Sequence, residues 1–139
     1  MTAATADRNT LRRDGSAFEF PVKAASKIYA GTIVVVDAAN SFASPGRTAT
    51  GLKAVGVAQE LTDNSAGADG ALRVRVFRGP ENLFRFANST AADLITLADL
   101  QADCYIVDDS TVAKTSATGT RSIAGKIRDV DSGGVWVEF

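Results

Sequence analysis

A chain of 139 residues with 15 Lys and Arg, 16 Asp and Glu, no histidine and one cysteine is sized for one domain, able to bury about 68–70% of its unfolded surface. The missing histidine excludes Ser-His-Asp and Cys-His catalysis and, beside a single cysteine, a structural zinc site of Cys and His ligands. A net charge of −1 lacks the basic excess of a dedicated nucleic-acid binder, the lone Cys104 cannot form an internal disulfide, and the longest clear apolar run, Ile33 to Val36, is far too short to span a membrane.

The chain opens on Met1 to Ser16, which has no hydrophobic periodicity and, beyond Met1, Leu11 as its only large aliphatic residue. Arg8, Arg12 and Arg13 against Asp7 and Asp14 leave this arm one positive charge in excess. Such a segment buries too little apolar area to offset its ordering entropy. It reads either as a disordered terminus or as an arm that orders against a partner. It has no apolar signal-peptide core, so a cytosolic product is expected; Asn88-Ser-Thr, a glycosylation match, then carries little meaning.

From Ala17 onward short strands alternate with turn residues. Phe18, Phe20 and Val22 share one face of the first, and Pro21 confines it to an edge or makes it short. Thr32 to Val36 is apolar on both faces, which predicts burial on two sides. Asp37 to Gly51 reads as a loop, and Leu52 to Leu61 as a strand in which Gly56 marks a bulge or a close backbone approach. After the polar turn Asp63 to Gly70, Leu72, Val74 and Val76 point inward and Arg73 and Arg75 outward. Arg78 and Arg85 follow in sequence; a solvated outer face accounts for this arginine row, with an acidic protein partner as the other reading.

Asn82 to Asn88 forms a strand with Phe84 and Phe86 on one face. Between Ala91 and Gln101 a short helix is expected, with two capping-box starts, Thr90 to Asp93 and Thr96 to Asp99, and a buried face of Leu94, Leu97 and Ala98. Two hairpins close the chain: Cys104 to Val107 with Thr111 to Lys114, and Ser122 to Val130 with Val135 to Phe139. The fold class is therefore all-β, a small β-barrel or β-sandwich with one short helix and an extended arm over residues 1–16, the domain occupying 17–139.

Catalytic constellations are thin. Asp108 with Asp109, and Asp129 with Asp131, sit in turns, where aspartate bonds its own backbone. Ser26 with Lys27 would point to opposite faces of a strand, and Ser122 with Lys126 would stand four residues apart, too far for direct proton transfer. No phosphate-binding glycine motif and no calcium loop is present. No cofactor and no small-molecule substrate is expected. A small β-fold hydrolase remains a rival, and its deepest pocket would hold Asp108, Asp129, Asp131 or Ser122. Trp136 shares a face with Glu138, opposite Val135, Val137 and Phe139. It is read as an oligomer anchor or as the cap of an open barrel end. With the doubly apolar strand it nominates Val34, Val36 and Trp136 as an oligomer interface.

Ala30-Gly-Thr-Ile-Val-Val-Val-Asp37, Val55-Gly-Val-Ala58 and Asp63-Asn64, followed by Cys104 to Val112, Ala124-Gly-Lys-Ile127 and Gly134-Val-Trp-Val137, resemble the capsid decoration (cement) proteins of tailed bacteriophages over about residues 28–139. The resemblance implies a non-enzymatic virion protein on the outside of the phage head. It would clamp adjacent major capsid protein subunits, often as a homotrimer. On that expectation Arg8, Arg12, Arg13, Phe18 and Phe20 are the candidate capsid contacts. A head-fibre base or a tail protein is the alternative virion role.

Overall fold

The computed structural model describes residues 3–139; Met1 and Thr2 of the expected arm lie outside the described residues. The strands, in chain order, are β1 (Ala17–Pro21), β2 (Ser26–Ile28), β3 (Ile33–Asp37), β4 (Ala43–Pro45), β5 (Leu52–Ala58), β6 (Thr62–Asn64), β7 (Arg73–Phe77), β8 (Leu83–Asn88), β9 (Asp103–Ile106), β10 (Thr111–Ala113), β11 (Ile123–Asp131) and β12 (Gly134–Glu138). Five of them form a sheet in the order β1-β7-β5-β3-β4, five close a barrel in the order β10-β8-β12-β11-β9, and β2 pairs with β6. The all-β expectation holds, as do both terminal hairpins.

The barrel closes through the parallel pairing of β10 with β8, Thr111 facing Ala87 and Val112 facing Asn88. Its inward residues, among them Phe86, Cys104, Ile106, Val112, Ile127, Val135 and Val137, share one core with Ile33, Val35, Leu52 and Val57 of the sheet. The other face of the sheet encloses a second core. Val22, Ile28, Val34, Ala43, Val55, Ala58, Val74 and Val76 build it, with Phe18, Phe20 and Val36 packed against it. The sheet curls around this core until Val22, just past β1, bridges Ala43 of β4 in parallel.

β3 is thus the wall between the two cores: Ile33 and Val35 face one, Val34 the other, and all three are fully buried. This corrects the reading of Val34 as an oligomer contact. Its apolar excess is absorbed inside the chain because two curled sheets stack back to back, and Val34 has no surface to offer a partner. Val36 keeps part of its surface.

The short helix between Ala91 and Gln101 is also corrected. Two separate 3-10 turns stand there, Ala91–Asp93 and Leu97–Asp99. Only the second start is a realised capping box: the Thr96 side chain accepts from the Ala98 N–H, and the Asp99 carboxylate accepts from the Thr96 N–H at 2.8 Å. The expected buried leucines are outside, Leu94 at 44% and Leu97 at 61% exposure, and Ile95 is the residue driven into the core.

Candidate functional site

Where β1 meets the arm, main-chain geometry leaves an open strand edge. The Arg78 N–H donates to Ser16 C=O, and the Val22 N–H donates to Leu72 C=O, both at 2.9 Å. Antiparallel pairs alternate, so Ser16, Phe18, Phe20 and Val22 turn their main-chain groups toward β7, and Ala17, Glu19 and Pro21 turn theirs away. Pro21 has no N–H to offer, and beyond it the edge is met by β4. Arg73 Nη2 already donates to Glu19 C=O at 3.0 Å. What stays open is Ala17 and the N–H of Glu19.

That stretch is clad in arginine. Arg13 lies over the Phe18 ring at 4.4 Å and Arg78 at 5.7 Å from its centroid, while Phe18 and Phe20 stack at 6.2 Å. Arg13, Arg73 and Arg75 line a shallow groove of about 370 Å³ with Ala17, Phe18 and Glu19. Glu19 is held between two guanidiniums, Arg75 at 3.2 Å and Arg73 at 3.8 Å.

Among the described residues, ten of the fifteen Lys and Arg side chains make an ion pair and five make none: Arg8, Arg12, Arg13, Lys53 and Arg78. Four of those five belong to the arm or to the strand edge it feeds. The arm residues Arg8, Leu11 and Arg12 are exposed. Phe18 and Phe20 are half-buried against the second core, so their faces are shared between the protein's own packing and the surface. Sequence spacing groups Arg85 with Arg73, Arg75 and Arg78; the fold separates it, because β8 carries Arg85 to the barrel wall.

There Arg85 pairs across the ladder with Trp136 and lies 5.7 Å from its ring. The indole N–H donates to Asp131 Oδ2 at 2.8 Å. That bond, with one from the Gly133 N–H, holds the Asp131 carboxyl below the ordinary aspartate range. Trp136 therefore lies half-buried on the barrel's outer wall, clipped in place, rather than over an open end.

The catalytic candidates are occupied by local structure. Asp108 accepts from the Ser110 N–H at 2.9 Å and Asp129 from the Val130 N–H at 2.8 Å. Partial burial works against ionisation of Asp108, but bonds from Ser110 and Thr111 outweigh it and lower the pKa; Asp109 is raised, first by burial and then by the Asp108 charge. Ser122 does line a cleft of about 500 Å³, as a hydrolase would require. Its hydroxyl, however, donates to Ala49 C=O at 2.7 Å and accepts from the Leu52 N–H at 3.1 Å. Lys126, its supposed base, is paired with Asp103 at 2.6 Å.

Among the described residues no cluster of three or more His, Cys, Asp or Glu is placed to hold a metal, and no helix is long and apolar enough to cross a membrane. Cys104 is fully buried and burial pushes its thiol up to about 12. Only the thiolate reacts, so at pH 8 alkylation by iodoacetamide is expected to run about a thousandfold slower in the folded than in the urea-unfolded chain. Equal rates would put Cys104 at an accessible surface. Comparison with known proteins finds no matching family model, no matching curated protein and no matching solved structure.

Proposed function

We propose that the chain is a structural virion protein, a capsid decoration protein that binds the outer surface of a phage head and clamps adjacent major capsid protein subunits as a homotrimer. The observation that carries this reading is the open edge of β1, fed by an exposed arm and flanked by Arg13 and Arg78, which no carboxylate among the described residues neutralises. An edge strand offers main-chain bonds to an extended partner segment, and the unpaired guanidiniums favour carboxylate-bearing surfaces. The sequence resemblance over about residues 28–139 supports the same role.

In this mechanism Arg8, Arg12 and Arg13 reach across to capsid subunits while Phe18 and Phe20 fix the root of the arm. Trp136 and the remaining surface of Val36 contribute to the contacts between copies. Binding only the assembled shell stabilises that shell by mass action, and three linked contacts act together through high effective concentration. Each arm is then individually weak and collectively decisive.

Deleting residues 1–16 and measuring binding to expanded empty heads tests this directly. Affinity is expected to fall by about 10- to 100-fold, because the loss repeats in each linked subunit. Unchanged affinity would remove the arm from the mechanism. Imaging of labelled protein on particles separates the head from the tail, and label on the tail would overturn the capsid assignment.

A further inference from the structure

A second pair of strand edges faces inward, at the seam between sheet and barrel. β5 pairs with β7 only through Val57 and Ala58, so its stretch from Leu52 to Gly56 has a ladder on the β3 side alone. Across from it runs the start of β11, paired with β9. The two are pinned where the Ser122 hydroxyl meets the Leu52 N–H. Past that pin no ladder joins them, and the gap is the cleft of about 500 Å³. That volume lies within the range of ordinary ligand pockets, about 300–1,000 Å³.

Main-chain direction can be read on both sides. The Leu52 N–H points at Ser122, away from β3; two residues on, Ala54 turns its N–H and C=O the same way. On the other side the Ile106 N–H donates to Ser122 C=O at 2.9 Å, so Ile123, one residue later, turns its N–H and C=O away from β9 and into the gap. The cleft is thus lined by strand-edge groups from both elements.

Its side chains set the chemistry. Ile123, at 48% exposure, and Tyr105 give it an apolar wall. No carboxylate lines it, while Lys53 and Arg121 do. Lys53 is exposed and makes no ion pair among the described residues. Arg121 Nη1 holds Asp93 at 3.1 Å, and its buried Nε has no hydrogen-bond partner among the described residues, so Lys53 is the cleft's unpaired charge.

We infer that the cleft between β5 and β11 is a docking site for an extended, acidic segment of another protein. The segment adds main-chain bonds to Ala54 and Ile123, lays apolar side chains against Ile123 and Tyr105, and brings a carboxylate to Lys53 and Arg121. The chain's own unpatterned segment, residues 1–16, is the wrong occupant, because its net positive charge opposes Lys53 and Arg121. This site is separate from the β1 edge and stands whether or not the protein decorates a capsid.

The test is a titration of the full ¹⁵N-labelled chain with a capped peptide of about seven residues alternating valine and glutamate, long enough to span the cleft as a strand. Saturable amide shifts at Ala54 and Ile123 are expected, with no such response to the valine–lysine counterpart. Lys53→Glu, an exposed change that leaves the cores untouched, should weaken the acidic peptide by about three- to tenfold. Equal responses to the two peptides, shifts centred instead on Ala17 and Glu19, or no shift at all would overturn the assignment. So would concentration-dependent shifts at Ala54 and Ile123 without peptide, which would make a second copy the occupant.

Discussion

Gly56→Ala is expected to destabilise the chain by about 2–4 kcal/mol, seen as a lower denaturation midpoint at unchanged slope. Two costs coincide at this position. Gly56 has φ +140°, a region essentially closed to side-chain-bearing residues, and an added Cβ would stand 2.4 Å from the Phe77 carbonyl oxygen, backbone that cannot swing aside. The conformation is required by a bulge: Val34 faces Gly56 and Val35 faces Ala54, leaving Val55 extra on β5. That irregularity turns β5 from a strand bordering the open cleft into one laddered to β7 at Val57 and Ala58. Gly119→Ala is the control. Its φ is +78° but nothing lies within 4 Å of an added Cβ, so only the left-handed strain of about 1 kcal/mol applies. If both substitutions cost the same, the close approach to Phe77 contributes nothing and the bulge is not the rigid joint described here.

The bulge at Gly56 was legible in the sequence because glycine inside an apolar strand has few other uses. So were the edge position of β1, from Pro21, and the inward residues Val74 and Val76 of β7 and Val135 and Val137 of β12, from strict alternation in Arg73–Phe77 and Val135–Glu138; Leu72, expected inward with them, precedes the strand and is 43% exposed. These signals are local: each residue's neighbours along the chain define its environment. The fate of β3 is not local. Four consecutive apolar residues say that both faces are covered, and they say nothing about whether a second copy or a second core covers them. Here a second core does, and Val34 passes from interface candidate to interior. The candidate surface was legible only in part. Arg8, Arg12, Arg13 and Phe18 stand out as an unpatterned basic run entering an aromatic strand. Joining Arg78 to them, and removing Arg85, depends on the pairing of β7 with β1 and of β8 with β12. The cleft beside Lys53 had no sequence signal, since it exists only because two strands from different sheets are pinned at Ser122 and then left unpaired.

Ile95→Ala is expected to cost about 2–5 kcal/mol, and Leu97→Ala, two residues away, less than about 0.5 kcal/mol. Helical spacing favours the opposite ranking, because Leu94, Leu97 and Ala98 repeat at three and four residues. The backbone does not allow that helix. Ala91 and Gln101 take positive φ at 54° and 69°, and Leu94 is extended at ψ 123°. Between the two 3-10 turns the chain runs straight, and the Asn88 side chain supplies the missing partner: its Nδ2–H donates to Ile95 C=O at 2.8 Å, and its Oδ1 accepts from the Ile95 N–H at 3.0 Å. With its main chain held on both sides, Ile95 places a side chain of 1% exposure in the barrel's core, among Phe86, Ile106 and Ile127. Truncation therefore opens a cavity in the shared core, where close packing limits collapse, and also loosens the buried apolar anchor of the segment from Ala91 to Leu100, leaving the polar ties of Asp93 and Asp99 to Lys114 and Arg121. Chemical denaturation reads the first effect, and faster amide exchange at Ile95 and Thr96 reads the second. If Leu97→Ala proves the costlier change, the segment packs through its leucines and the two-turn description is wrong.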